Sequence, residues 1–149
     1  MSFSVAPLHQ TQTVQALAAS TSSILEFYFA RAARIKRYWA VPSVAEAAPA
    51  TQVLDVTFVN AGTAGAGSTT LAVLTNDSDL ADSITRKSSA WVAHDAKEID
   101  TEARPGSPTN AENVADAIAA GEVVKATVAK AAGTTTGNVL VGIEYVWST

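Results

Sequence analysis

The chain has 149 residues, 48% of them hydrophobic, which is enough to close one core and is expected to make a single domain. A net charge of −4 argues against general nucleic-acid binding, since a phosphate-tracking surface needs a clustered excess of Lys and Arg, and the lack of cysteine excludes disulfides and thiolate metal sites. Met1 to Pro7 lack the basic start and unbroken apolar core of a signal peptide, and no apolar run approaches a membrane span, so a soluble protein made in the cytoplasm is expected. Only 7% of residues are aromatic and the apolar surplus is mostly Ala and Val. Such small side chains each bury little area, and contacts with partners are expected to add to stability.

Residues 1–22 are polar, rich in Ser, Thr and Gln, and read as an extended arm outside a domain spanning 23–149. From Ile24 to Phe29, Leu25, Phe27 and Phe29 face one way and Ile24, Glu26 and Tyr28 the other, a strand pattern. In the next strand Ile35, Arg37, Trp39 and Val41 alternate with Lys36, Tyr38 and Ala40, and Pro42 marks an edge or an end. An Ala- and Pro-rich loop covers 42–51. Leu54, Val56 and Phe58 then oppose Val53, Asp55, Thr57 and Val59, and the Gly-rich stretch Asn60–Ser68 joins this strand to Thr69–Leu74 as a hairpin.

Residues 76–82 read as a capped helical turn or an acidic loop, and 83–103 fit neither period. Thr109 and Glu112 have capping-box spacing ahead of Val114 and Ile118, with Gly121 as a stop, so a short helix is expected over 110–120. Glu122 to Ala129 alternates again. Val139, Val141, Ile143, Tyr145 and Trp147 recur at every second position of a closing strand, and 132–137 is expected to join the two strands as a second hairpin. The fold expected is mainly β, a β-sandwich or jelly-roll-like domain with an extended N-terminal arm and one or two short helices. The alternative is an α+β domain with both 78–100 and 110–120 helical.

Chemistry-bearing patterns are sparse. His94, Asp95 and Glu98 have the spacing of an acid/base group on a helical face, or are a solvated polar segment. Asn76, Asp77, Asp79 and Asp82 imitate an oxygen-rich calcium loop but lack its glycine and terminal glutamate. Gly62, Gly65 and Gly67 lack the Gly-Lys-Ser/Thr ending of a phosphate loop and connect strand to strand. No nucleophile elbow accompanies the abundant Ser and Thr. A protein without catalytic residues, cofactor or metal is therefore expected. The basic and aromatic residues Arg34, Arg37, Tyr38 and Trp39, with Trp147 at the end of the closing strand, are the interface candidates, because Arg and aromatic side chains anchor protein contacts.

The strands at 23–29, 34–41 and 53–59, the late strand at 120–128 and the closing run 137–146 resemble small all-β decoration, or cement, proteins of tailed bacteriophages. The resemblance covers 23–147 and rests on the style and order of the strands; the acidic stretch within 76–120 departs from it. It implies a structural virion protein, made in the host cytoplasm, that binds the major capsid protein on the outer capsid surface, bridges capsid subunits and forms a homo-oligomer, with a trimer favoured. Nucleic acid and membrane are not among the partners it implies. A carbohydrate- or ligand-binding β-sandwich using Tyr38, Trp39 or Trp91 as a stacking platform, or a tail or head-fibre component, is the alternative.

Overall fold

A strand can cover a core with one face and meet water with the other only if apolar and polar residues alternate along it. That alternation, carried along most of the chain, yields a mainly β fold in the structure, a computed structural model that describes residues 6–45, 53–76, 85–87, 90–101, 116–131 and 137–149. The strands are β1 (Leu8–Val14), β2 (Thr21–Tyr28), β3 (Ala33–Pro42), β4 (Leu54–Asn60), β5 (Thr69–Thr75), β6 (Thr85–Lys87), β7 (Lys97–Asp100), β8 (Ala117–Ile118), β9 (Val123–Lys130) and β10 (Val139–Trp147). They make two five-stranded sheets. The first runs β1-β10-β3-β7, with β8 also on β3, and the second runs β2-β9-β4-β5-β6.

The pairing is nested. β1 pairs with β10, β2 with β9, β3 with β7 and β8, and β4 with β5, all antiparallel. β10 then takes β3 as its second neighbour and β9 takes β4, which gathers the strands into two sheets. Side chains of both sheets share one core. Tyr38 of the first sheet lies 4.9 Å between ring centroids from Phe58 of the second, and Phe29 meets Tyr145 edge-on at 5.1 Å. Edge-on and tilted rings add to the area they bury, so these cross-sheet pairs hold the sheets in place against each other.

The expected faces of β2, β4 and β10 hold. Phe27 and Phe29 are buried while Ile24 and Tyr28 are exposed; Leu54, Val56 and Phe58 are buried; and Val139, Val141, Ile143 and Tyr145 line the core, with Trp147 packed against it. The β4–β5 hairpin also forms, and Gly62 and Gly65 supply the positive φ angles of its loop, +67° and +71°.

Other expectations are corrected. The arm expected over 1–22 is a strand for Leu8–Val14, paired along its whole length with β10, and Val14 and Leu17 are buried in the core. Its strand character is masked by Gln10 and Gln12, which occupy inward positions in phase with Leu8 and Val14. Their amides donate to backbone carbonyls at the edge of β2, Gln10 to Tyr28 at 3.1 Å and Gln12 to Glu26. The second expected hairpin does not form, because β9 and β10 lie in different sheets, each with both sides occupied.

The described end of the helix expected over 110–120 is strand instead. β8 pairs with Ala33 and Arg34, Ile118 enters the core, and Gly121 turns the chain at φ +83°. The side of β3 away from β10 offers unpaired backbone groups there, and pairing them outweighs the helix preference of an Ala-rich stretch. Residues 110–115 lie outside the described residues. The alternative of helix over 78–100 is likewise overturned at Thr85–Lys87 and Lys97–Asp100, which are β6 and β7.

The alternation expected along Ile35–Val41 is interrupted. Tyr145 pairs with Ile35 but Glu144 with Arg37, so Lys36 is an extra residue, a β-bulge. Ile35 and Tyr38 therefore both point into the core. Thr101 secures the bulge, its N–H donating to the Lys36 carbonyl at 3.0 Å and its hydroxyl to that of Ile35 at 2.7 Å.

Burial pushes the Tyr38 hydroxyl far above the usual tyrosine range, and the charge of Asp116 acts in the same direction. The fold accepts only the neutral phenol. Its contribution to stability is thus complete below the unfolded tyrosine pKa of about 10 and is lost as pH rises past it. In an alkaline titration followed by phenolate absorbance and circular dichroism, Tyr38 should ionise only as the protein unfolds, and Tyr38→Phe should move the alkaline unfolding midpoint upward.

Candidate functional site

The outer face of the first sheet carries a polar constellation centred on Arg37. Past the bulge, β3 turns Arg37 and Trp39 outward, beside Glu144 and Gly142 of β10 on one side and Asp100 and Glu98 of β7 on the other. The Arg37 guanidinium forks, with Nη1 at 2.7 Å from Glu98 Oε2 and Nη2 at 2.7 Å from Glu144 Oε2. The two bonds differ in weight. The Glu98 side chain is 38% exposed, in the range where an ion pair contributes about 0–1 kcal/mol, whereas that of Glu144 is 8% exposed and depends on its partner for the hydration it has lost. Asp100, also buried, sits directly across from Arg37 in the β3–β7 register.

Trp39 lies over Gly142. A Cβ at Gly142 would collide with the indole ring, so the missing side chain is what lets the ring come this close to β10. Two donors of this face, Arg37 Nε and Trp39 Nε1, are buried and have no acceptor among the described residues. Farther along β3, Arg34 donates to Asp116 Oδ2 from Nε at 3.1 Å and Nη2 at 2.9 Å.

Arg34, Arg37 and Trp39 thus share one face, and the other two interface candidates do not join them. Tyr38 points the opposite way and is fully buried, which removes it from any surface. Trp147 lies at the end of β10 on the core side, edge-on to Tyr145 at 5.0 Å, with the Arg31 guanidinium 5.5 Å from its ring centroid. Trp91 is buried as well and donates Nε1–H to the Leu54 carbonyl at 2.9 Å, so it offers no stacking platform. His94 sits at φ +60° in an exposed turn and Glu98 is held by Arg37 on a strand, so the helical face that would join His94, Asp95 and Glu98 does not exist. Asn76 is buried and its side chain accepts the Leu54 N–H at 2.9 Å; Asp77, Asp79 and Asp82 lie outside the described residues.

Two inward-facing lysines escaped the sequence reading. Lys97 packs its ammonium 4.6 Å from the Trp91 ring centroid and donates to the carbonyls of Thr75 and Ala90, each at 3.2 Å. Lys130 is buried at the end of β9, in phase with Val124, Ala126 and Val128. The available signal was phase: Lys97 alternates with Ile99 and Lys130 with the apolar set of β9, and a lysine in phase with a core face can bury its stem. Among the described residues no group of three or more His, Asp or Glu is placed to hold a metal ion. No protein-family model, curated protein or solved structure matches the chain.

Two substitutions test this face. Gly142→Ala should cost about 1–3 kcal/mol by driving a methyl into the indole, and Trp39→Ala in the same chain should remove that cost; denaturant midpoints of the single and double variants decide it. Arg37→Ala should cost about 3 kcal/mol by stranding Glu144, and adding Glu144→Gln should recover most of the loss, whereas adding Glu98→Gln should recover little.

Proposed function

We propose that this chain is a structural virion protein, a decoration protein that binds the outer surface of a bacteriophage capsid and stabilises the shell by bridging its subunits. The observation that carries the reading is the nested strand pairing. With β1 and β10 paired outermost and the β4–β5 hairpin innermost, the two sheets read as a jelly-roll sandwich, an architecture that recurs in viral capsid domains. The support is an analogy of fold added to the resemblance of the strands, and it favours a scaffold that presents surfaces. Arg34 and Trp39, on the outer face of the first sheet, are of the residue types that anchor protein contacts. The carbohydrate-binding alternative is weaker, since of its three stacking candidates Tyr38 and Trp91 are buried.

Particles purified from the phage or prophage that encodes the chain provide the test. Peptide mass spectrometry should find the chain in fixed proportion to the major capsid protein, and particles from a deletion strain should release their DNA at a lower temperature, with recovery on adding back the purified protein. Finding the chain only in the soluble fraction, with particles of unchanged heat resistance, would overturn the reading.

A further inference from the structure

β1 is held only weakly by its own side chains. It lies at the edge of the first sheet, and of its four inward positions, Leu8, Gln10, Gln12 and Val14, two are glutamine and Leu8 is 39% exposed. What holds it, besides the buried Val14 at its end, is the backbone ladder to β10, from Leu8 opposite Tyr145 to Val14 opposite Val139, and the two glutamine amides on the edge of β2. A backbone ladder is indifferent to which copy of the chain supplies the strand.

The connection from β1 to β2 carries strain. Ser20 has φ +59°, a region that a residue with a Cβ enters at a cost. The turn is held closed by the Ser20 N–H on the Ala131 carbonyl at 3.0 Å and by the Thr21 hydroxyl on the Ala18 carbonyl at 2.6 Å. We infer that β1 is exchanged between copies of this chain: β1 of one protomer takes the edge of β10 in another, with residues 15–20 opened into an extended connection. Exchange keeps the β1–β10 ladder and the two glutamine bonds, opening relieves Ser20 but gives up the two hydrogen bonds of the turn and loosens Leu17 from the core, and concentration sets the balance. Crowding of copies on a lattice would favour exchange, but the inference does not rest on the virion reading.

Thr13 and Leu140 face each other across β1 and β10 with both side chains exposed, and the chain has no cysteine of its own. Thr13→Cys and Leu140→Cys chains, prepared separately, are mixed at high concentration, oxidised and resolved on a non-reducing gel. The expected product is a disulfide dimer containing one chain of each kind, several-fold more abundant than either homodimer. Ser20→Pro, whose ring forbids the closed turn, should raise the dimer fraction, and Ser20→Gly, which accepts positive φ, should lower it. Mixed dimers no more abundant than homodimers would overturn the exchange. So would a Thr13→Cys/Leu140→Cys double variant whose disulfide forms only within one chain at every concentration. If Ser20→Pro fails to fold, the cysteine pairs still decide.

Discussion

Strand β10 sits between β1 and β3, so Val139 to Tyr145 have a strand on both sides, and Gly142 and Glu144 of the outward face are buried as well as the inward residues. The consequences spread from that position. Inward, the β-branched and aromatic residues of alternate positions fill the core. Outward, Gly142 and Glu144 must be accommodated in a place where water is scarce, and each is met by a residue of β3: the Trp39 ring lies on the bare glycine and the Arg37 guanidinium meets the carboxylate. The bulge at Lys36 makes this possible. Without the extra residue, the phase that sends Ile35 into the core would also send Arg37 there, at the cost of placing a charge in an apolar interior.

The two faces of β3 therefore do different work. Its inner face, through Tyr38 on Phe58, ties the first sheet to the second; its outer face gathers Arg34, Arg37 and Trp39 among the carboxylates of β7, β10 and Asp116. A face tied by ion pairs and flanked on both sides by other strands has little conformational freedom left to lose. The edge at β1 is of another kind. Its glutamines blunt the neighbouring edge of β2 by occupying its carbonyls, a polar solution to the problem of an open sheet edge, and one that leaves β1 itself dependent on hydrogen bonds.

The strands of β2, β4, β9 and β10 were legible in the sequence, as were the inward sets Phe27 with Phe29, Leu54 with Val56 and Phe58, and Val139 through Tyr145. Alternation is a local property, and it survives whatever the strand pairs with. Arg34, Arg37 and Trp39 were legible as surface candidates, but not the phase change that puts Ile35 on the same side as Tyr38, because a one-residue bulge leaves no composition signal. The tertiary structure alone decided that Leu8–Val14 is a strand, that Ala117–Ile118 is not helical, that β9 and β10 part into different sheets, and that Lys97 and Lys130 point inward. Each of these depends on what a segment meets. Glutamines become an inward face only when the edge of β2 supplies acceptors, an Ala-rich stretch becomes a strand only beside the open side of β3, and Lys97 is buried where two carbonyls and an indole ring receive its charge.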